Sequence, residues 1–372
     1  MALTAWRSNA SLSSAETSHS TPPASSHCQP EVDSTTVTPV RLRLLAAAVL
    51  TGALLLTACG GGDGGPAPDH HDRADGAQLL YRPTGRTSAQ NPAFSPDSTS
   101  VLFTLFHDGY NEGAAALRTI PLGSGHEQQH PRTLLSDPDK AAVNLPGSSW
   151  HPRAGVAFAS DRSGQDEVWV MEPGGKPKRV TEHRGDTGYL EPSFSPDGQW
   201  IVFQESVENE HPDGSELGSL WKVRRDGTGA TRLIDGPGTR TDNRQPNWSP
   251  AGDRLVFQRR EAGSEAWALY VVNADGSGLR KLTTTPGEHT DPSWSPDGRS
   301  VVFSSTAGGL DLPQIFTIPA AGGKPVRVTR SSNAYDGAPS WSPDGRWIAF
   351  ESHAGGEDRP SSLWRVPAPS GR

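Results

Sequence analysis

The chain has 372 residues, only 33% of them hydrophobic, with 41 glycines and 33 prolines. A formal net charge of −8 excludes the basic face of a nucleic-acid binder, and two cysteines, Cys28 and Cys59, exclude a disulfide framework. Turn formers in that abundance suit many short strands joined by tight reversals, and not long helices.

Residues 1–40 contain fifteen Ser or Thr and too little apolar surface to offset the entropy of ordering them. They read as a disordered extension, or as sequence lying ahead of the true translation start. "RLRLLAAAVLTGALLLTACGGG" follows at 41–62. Arg41 and Arg43 supply a positive start and Leu44 to Leu56 an apolar run. That run falls short of the about 20 residues a permanent span needs, so 41–58 is read as a secretory signal. "LTAC" at its end resembles the lipobox of bacterial lipoproteins. The resemblance implies cleavage before Cys59, acylation of that residue and a stable anchor of two or more chains. Gly60 in place of Asp after the cysteine, by the same resemblance, implies the outer membrane over the inner. A Gly/Pro-rich tether is expected over 59–76. The expected location is the cell envelope, lipid-anchored and facing the periplasm.

From residue 77 onward one phrase recurs. It appears as "NPAFSPDS" at 91, "GSSWHPRA" at 147, "EPSFSPDG" at 191, "QPNWSPAG" at 245, "DPSWSPDG" at 291 and "APSWSPDG" at 338. Its aromatic residues Phe94, Trp150, Phe194, Trp248, Trp294 and Trp341 are 56, 44, 54, 46 and 47 residues apart. Periods in the forties with insertions are those of four-stranded propeller blades. In each copy a short strand after the proline presents its aromatic inward. "SPDG" then reverses the chain, with Pro fixing φ, Asp suiting the third turn position and Gly accepting positive φ. Apolar alternating runs such as "SVVFSS" and "RLVFQRR" make the second strand, and two further runs complete the blade. Six aromatics packed between blades, at about 150–250 Å² each, are worth up to about 4–6 kcal/mol apiece. The sixth repeat ends one strand short, while "AQLLYRP" at 77–83 precedes the first repeat as an orphan. The expected fold is therefore all-β, a six-bladed propeller over 77–372 whose last blade is completed by the N-terminal strand.

"PSWSPDGR", followed by an apolar run ending in Phe and then by "ADGSGLRKLT", resembles the repeats of TolB-like (WD40-like, PD40) β-propellers. The resemblance covers about residues 77–372 and implies the propeller fold. It does not extend to the α/β domain that TolB itself carries ahead of its propeller, so a lipoprotein distinct from TolB is expected.

Catalytic patterns are few. His126-Glu127-Gln128-Gln129-His130 matches a zinc-peptidase pattern that works only on a helix, whereas Gly125 and Pro131 bracket a loop here. No Gly-x-Ser-x-Gly elbow occurs. His70 and His71 read as tether residues. No catalytic residue, metal ligand or cofactor is expected, calcium being the one ligand ion considered. The connections that lead into each inner strand place Asn91, Asp186, Glu191, Asp242, Gln245, Glu288, Asp291 and Asp336 around one channel mouth, with His289 beside them. Converging carboxylates there would create a negative potential suited to a basic peptide or a cation. The reading is a non-enzymatic scaffold that binds an envelope protein or peptide, with "HDGYNEGAA" and "VENEHPDGSELG" as partner-specific loops. Two alternatives stand beside it. One is a lyase-like propeller enzyme acting on oligosaccharides, which would need histidine and a metal in the channel. The other is a small-ligand or calcium-binding propeller.

Overall fold

The computed structural model describes residues 73–123, 130–184, 187–207, 217–264, 266–331, 333–355 and 359–369. Cys59, Asp186, the 126–129 motif residues and most of the second loop lie outside them. The first strand is β1 (Gln78–Tyr81). Blade one is built of β2 (Ser88–Phe94), β3 (Ser100–Phe106), β4 (Ala115–Pro121) and β5 (Arg132–Leu135). Blade two has β6 (Trp150–His151), β7 (Gly155–Ser160), β8 (Glu167–Met171) and β9 (Lys178–Arg179). Blade three has β10 (Thr187–Phe194), β11 (Trp200–Val207), β12 (Leu217–Arg224) and β13 (Thr231–Ile234), followed by the single turn α1 (Gly236–Thr239). Blade four has β14 (Thr241–Trp248), β15 (Arg254–Glu261), β16 (Ala268–Asn273) and β17 (Arg280–Lys281). Blade five has β18 (His289–Trp294), β19 (Ser300–Ser305), β20 (Gln314–Pro319) and β21 (Val326–Arg327). Blade six has β22 (Ala334–Trp341), β23 (Trp347–Ala354) and β24 (Ser362–Pro367), and β1 is its fourth, antiparallel strand. Leu79 stands opposite Trp364. The ring is closed as the orphan strand required.

The "SPDG" turn is held by a small polar device. Ser295 Oγ donates to Asp297 Oδ1 at 2.6 Å and accepts the Ser300 amide at 2.9 Å, while Asp297 also accepts the Arg299 amide. The Ser95, Ser195, Ser249 and Ser342 hydroxyls make the same contact with a turn aspartate. Blade two lacks serine there. His151 replaces it, its Nδ1 accepting the Ala154 amide at 2.9 Å.

Six of the seven apolar clusters among the described residues lie between consecutive blades. Val256, Leu269 and Val271 of blade four pack against Trp294, Val301 and Phe303 of blade five. The last interface joins Ala349 and Leu363 of blade six to Phe94 and Phe103 of blade one. Among the described residues the largest fully buried side chains include one phenylalanine from the second strand of every blade: Phe103, Phe158, Phe203, Phe257, Phe303 and Phe350. The aromatics of the phrase are less uniform. Phe94, Phe194, Trp248 and Trp294 are buried, whereas Trp150 and Trp341 are only half-buried. The second-strand phenylalanine is thus the constant element of the core, because that strand is covered on both faces by neighbouring blades.

The chain is anchored earlier than β1. Arg73 donates to both oxygens of Asp336 at 2.8 Å, and Asp75 Oδ2 accepts the Arg330 amide. Residues 73–76, which the sequence reading gives to the tether, are therefore tied to the propeller.

Phe303→Ala should cost about 3–5 kcal/mol in urea unfolding, as a buried large-to-small change does. Trp341→Ala should cost clearly less, and equal losses would overturn this ranking of the core.

Candidate functional site

Five of the six phrases place a proline within the inner strand, which changes what the residue before it does. Proline has no N–H to give to the ladder, so pairing with the second strand breaks there. The register shifts between Gln90 and Ala93, Leu190 and Ser193, Arg244 and Asn247, Thr290 and Ser293, and Gly337 and Ser340. At each bulge the pre-proline residue has positive φ: Asn91 +56°, Glu191 +56°, Gln245 +54°, Asp291 +54° and Ala338 +48°. Gly147, at +91°, is the sixth of the set, just ahead of β6. The sequence reading assigns Asn91, Glu191, Gln245 and Asp291 to connections ahead of the inner strands. They are in fact inside those strands, at their bulges, and four residues of one ring.

Left-handed backbone at a residue other than glycine costs roughly 1–2 kcal/mol, and its amide turns away from the ladder. Side chains of the preceding blade take up these amides. Glu191 Oε2 accepts the Gln245 amide at 2.6 Å, Gln258 Oε1 that of Asp291 at 2.8 Å, and Asp291 Oδ2 that of Ala338 at 3.3 Å. Glu351 Oε2 accepts the Asn91 amide at 3.0 Å, linking blade six to blade one. At Gly147 the reason for glycine is steric. A Cβ would lie 2.7 Å from Asn247 Oδ1, which accepts the Ser148 amide from across the ring. Blade two's departure from the phrase thus lets its chain pass into the axis.

The ring opens into a cavity of about 120 Å³, lined from all six blades by Asn91, Asn144, Glu191, Gln245, Asp291 and Glu351 among others. Tyr110, from the β3–β4 loop, donates to Glu351 Oε1 at 2.9 Å and meets Tyr335 and His353 edge-on. "HDGYNEGAA" is therefore part of the cavity wall as well as a surface loop. Burial raises the Glu351 carboxyl to about 8, the charge of Asp291 adding to the rise. Burial also raises Glu191, to about 7, against the opposing charge of Arg244. Asp291 is raised by burial too.

The other expected mouth residues serve elsewhere. Asp242 is buried, pairing with Arg244 at 2.7 Å and Arg260 at 3.4 Å, both of which stack on Trp267. Asp336 is fully buried between Arg73 and Ser352. Glu288 accepts the Trp267 amide. These acids lie at or ahead of the strand starts, and arginines claim Asp242 and Asp336. His289 is buried, with Nδ1 on Ser305 Oγ and Nε2 on the Thr285 carbonyl, and burial lowers its pKa. Asp186 lies outside the described residues. Sequence reasoning passed over Glu351 and Tyr110. Glu351 follows the second-strand phenylalanine that recurs in every blade, as Gln258 and Gln204 do, and a long acceptor-bearing side chain at that position is the signal. Among the described residues no cluster of three His, Cys, Asp or Glu could hold a metal ion.

Residues 228–362 match the family described as the TolB beta propeller domain. The chain is 26% identical over 227 residues to an uncharacterized protein of Agrobacterium fabrum, covering 56% of this chain and 67% of that one. It is 30% identical over 131 residues to a TolB homolog of Chlorobium luteolum, covering 35% of this chain but only 26% of that protein. An oligogalacturonate lyase solved in complex with manganese superposes with a TM-score of 0.51 at 14% identity, over 81% of this chain and 95% of the lyase. That likeness is one of fold. The repeats are of the TolB-like propeller kind, in a chain whose relatives are distant. Among the described residues no helix is long and apolar enough to cross a membrane.

The sign of the pH dependence follows from the raised carboxyls. A folded value near 8 against an ordinary 4.5 means that the folded state holds an extra proton between those limits. Stability from this source is full below about pH 4.5 and is lost as pH rises through 8. Glu351→Gln keeps an acceptor for the Asn91 amide and should raise the melting temperature at pH 9 by an amount worth ~1–2 kcal/mol, with little change at pH 5. Parallel pH profiles in calorimetry would refute it.

Proposed function

We propose that this chain of TolB-like propeller repeats is a binding scaffold. A lipid on Cys59 holds it to the cell envelope, at the outer membrane and facing the periplasm, and it docks a protein or peptide at the mouth of its central cavity. One observation carries the reading: side chains from all six blades converge on a single carboxylate-lined cavity. A rigid ring with variable loops over one face presents a recognition surface without needing moving parts. The carboxyls of the lining favour a basic partner, while a uronate-bearing oligosaccharide would find in the described lining no cation besides Arg244, which Asp242 engages. The described residues of the lining include no histidine, which the lyase-like alternative requires.

A photoreactive residue at Glu112, exposed in the loop beside Tyr110, should crosslink a partner in living cells. The same residue at Asp226, in the exposed β12–β13 turn of the opposite face, should not. Equal labelling at both positions would refute docking at the mouth. Cys59→Ser should move the protein from the membrane to the soluble fraction and abolish incorporation of labelled palmitate; unchanged fractionation would remove the anchor from the reading.

A further inference from the structure

The acids of the cavity are only part of its lining. Gln245, 8% exposed, has a side chain that acts on Asp291, while its Oε1 is buried without a hydrogen-bond partner. A buried acceptor left without a donor is costly, so it marks a place where a donor is missing. Around it stand the carboxyls of Glu191, Asp291 and Glu351, and the rings of Tyr110 and Tyr335 form a wall. Arg244 is the one cation in the described lining, and Asp242 engages it at 2.7 Å. The lining therefore offers acceptors in excess of donors.

We infer that this cavity takes one organic cation, the ammonium end of a lysine-type side chain presented by the docked partner, held by Glu191, Asp291, Glu351 and the Gln245 carbonyl. The inference rests on the docking reading above and names what enters the site. An ammonium has three donors and no acceptor, which complements acceptors dispersed around a cavity better than the flat fork of a guanidinium does. Among the described residues no three His, Cys, Asp or Glu come together as ligands for a metal ion. Aromatic walls add attraction for a desolvated cation. The titrations of the acids support the same occupant. Glu191 is faced by Arg244, Asp242 and Asp291, and Glu351 by Tyr110 and Asp291. Without a partner cation, burial and the charge of Asp291 raise both carboxyls, Glu191 to about 7 and Glu351 to about 8. An entering cation replaces their protons, so binding strengthens as pH rises.

The test titrates the full chain with n-butylammonium chloride at constant ionic strength, with sodium chloride as the reference, at pH 6 and pH 9. A saturable rise in melting temperature and a calorimetric binding isotherm are expected at pH 9, with affinity at least about a hundredfold weaker at pH 6. Glu191→Gln and Glu351→Gln should each weaken binding at pH 9 by about tenfold, and far-ultraviolet circular dichroism should show both variants folded. A butylammonium effect no larger than that of sodium, an equal or tighter isotherm with methylguanidinium, the same shift with calcium alone, or responses unchanged in both variants would each overturn the inference. Crosslinking at position 112 with no ammonium binding would sink this inference and leave the docking reading standing; loss of both would sink both.

Discussion

The ring of left-handed residues is the constraint on which the rest of the molecule depends. A proline in each inner strand but one forces a bulge, the bulge turns an amide out of the ladder, and a side chain of the preceding blade must receive it. Glu191, Gln258, Asp291 and Glu351 do so, which makes all four fasteners between blades, and Glu191, Asp291 and Glu351 line the cavity as well. Strain that recurs at one height in successive repeats is over-determined by its surroundings, and such strain gathers where a protein meets its ligand. The same geometry keeps carboxyls in a buried place that evolution could have filled with apolar side chains.

Much of the fold was legible because it is periodic. Six aromatic residues at spacings of 44 to 56, six "SPDG"-like turns and one missing strand suffice to specify a closed ring, and β1 sits beside β24 as that count demands. Details that depend on packing were less visible. The phrase aromatics stand out in the sequence, yet Trp150 and Trp341 remain half-exposed, while the second-strand phenylalanine that fills every interface hides inside an ordinary apolar run. "GSSWHPRA" looks degenerate because it lacks the proline and the serine. Glycine there admits the chain to the axis, and His151 reproduces the serine's bond to the turn.

The candidate site was half legible. Asn91, Glu191, Gln245 and Asp291 precede prolines and do line the cavity, since the bulge aims them inward. Asp242 and Asp336, equally acidic and only a few residues away from those positions, are consumed by Arg244 and Arg73. Nothing in the local sequence distinguishes an acid claimed by a distant arginine from one left facing the axis. Arg73 lies 263 residues from Asp336, a pairing that only ring closure creates. Glu351 is legible only after the blades are aligned, and Tyr110 reaches it from a loop whose length gives no hint of where it points.

The joint between β1 and β24 has a mechanical side. The chain enters the propeller at Arg73, is clamped there by Asp336, and then becomes the outermost strand of the blade that closes the circle. Tension applied ahead of Arg73 would load that ion pair first and then the short run of backbone bonds from Gln78 to Tyr81. The closing strand of the circle is thus placed in series with the chain ahead of Arg73, so that a pull from there strains the wheel at its rim before it reaches the hub.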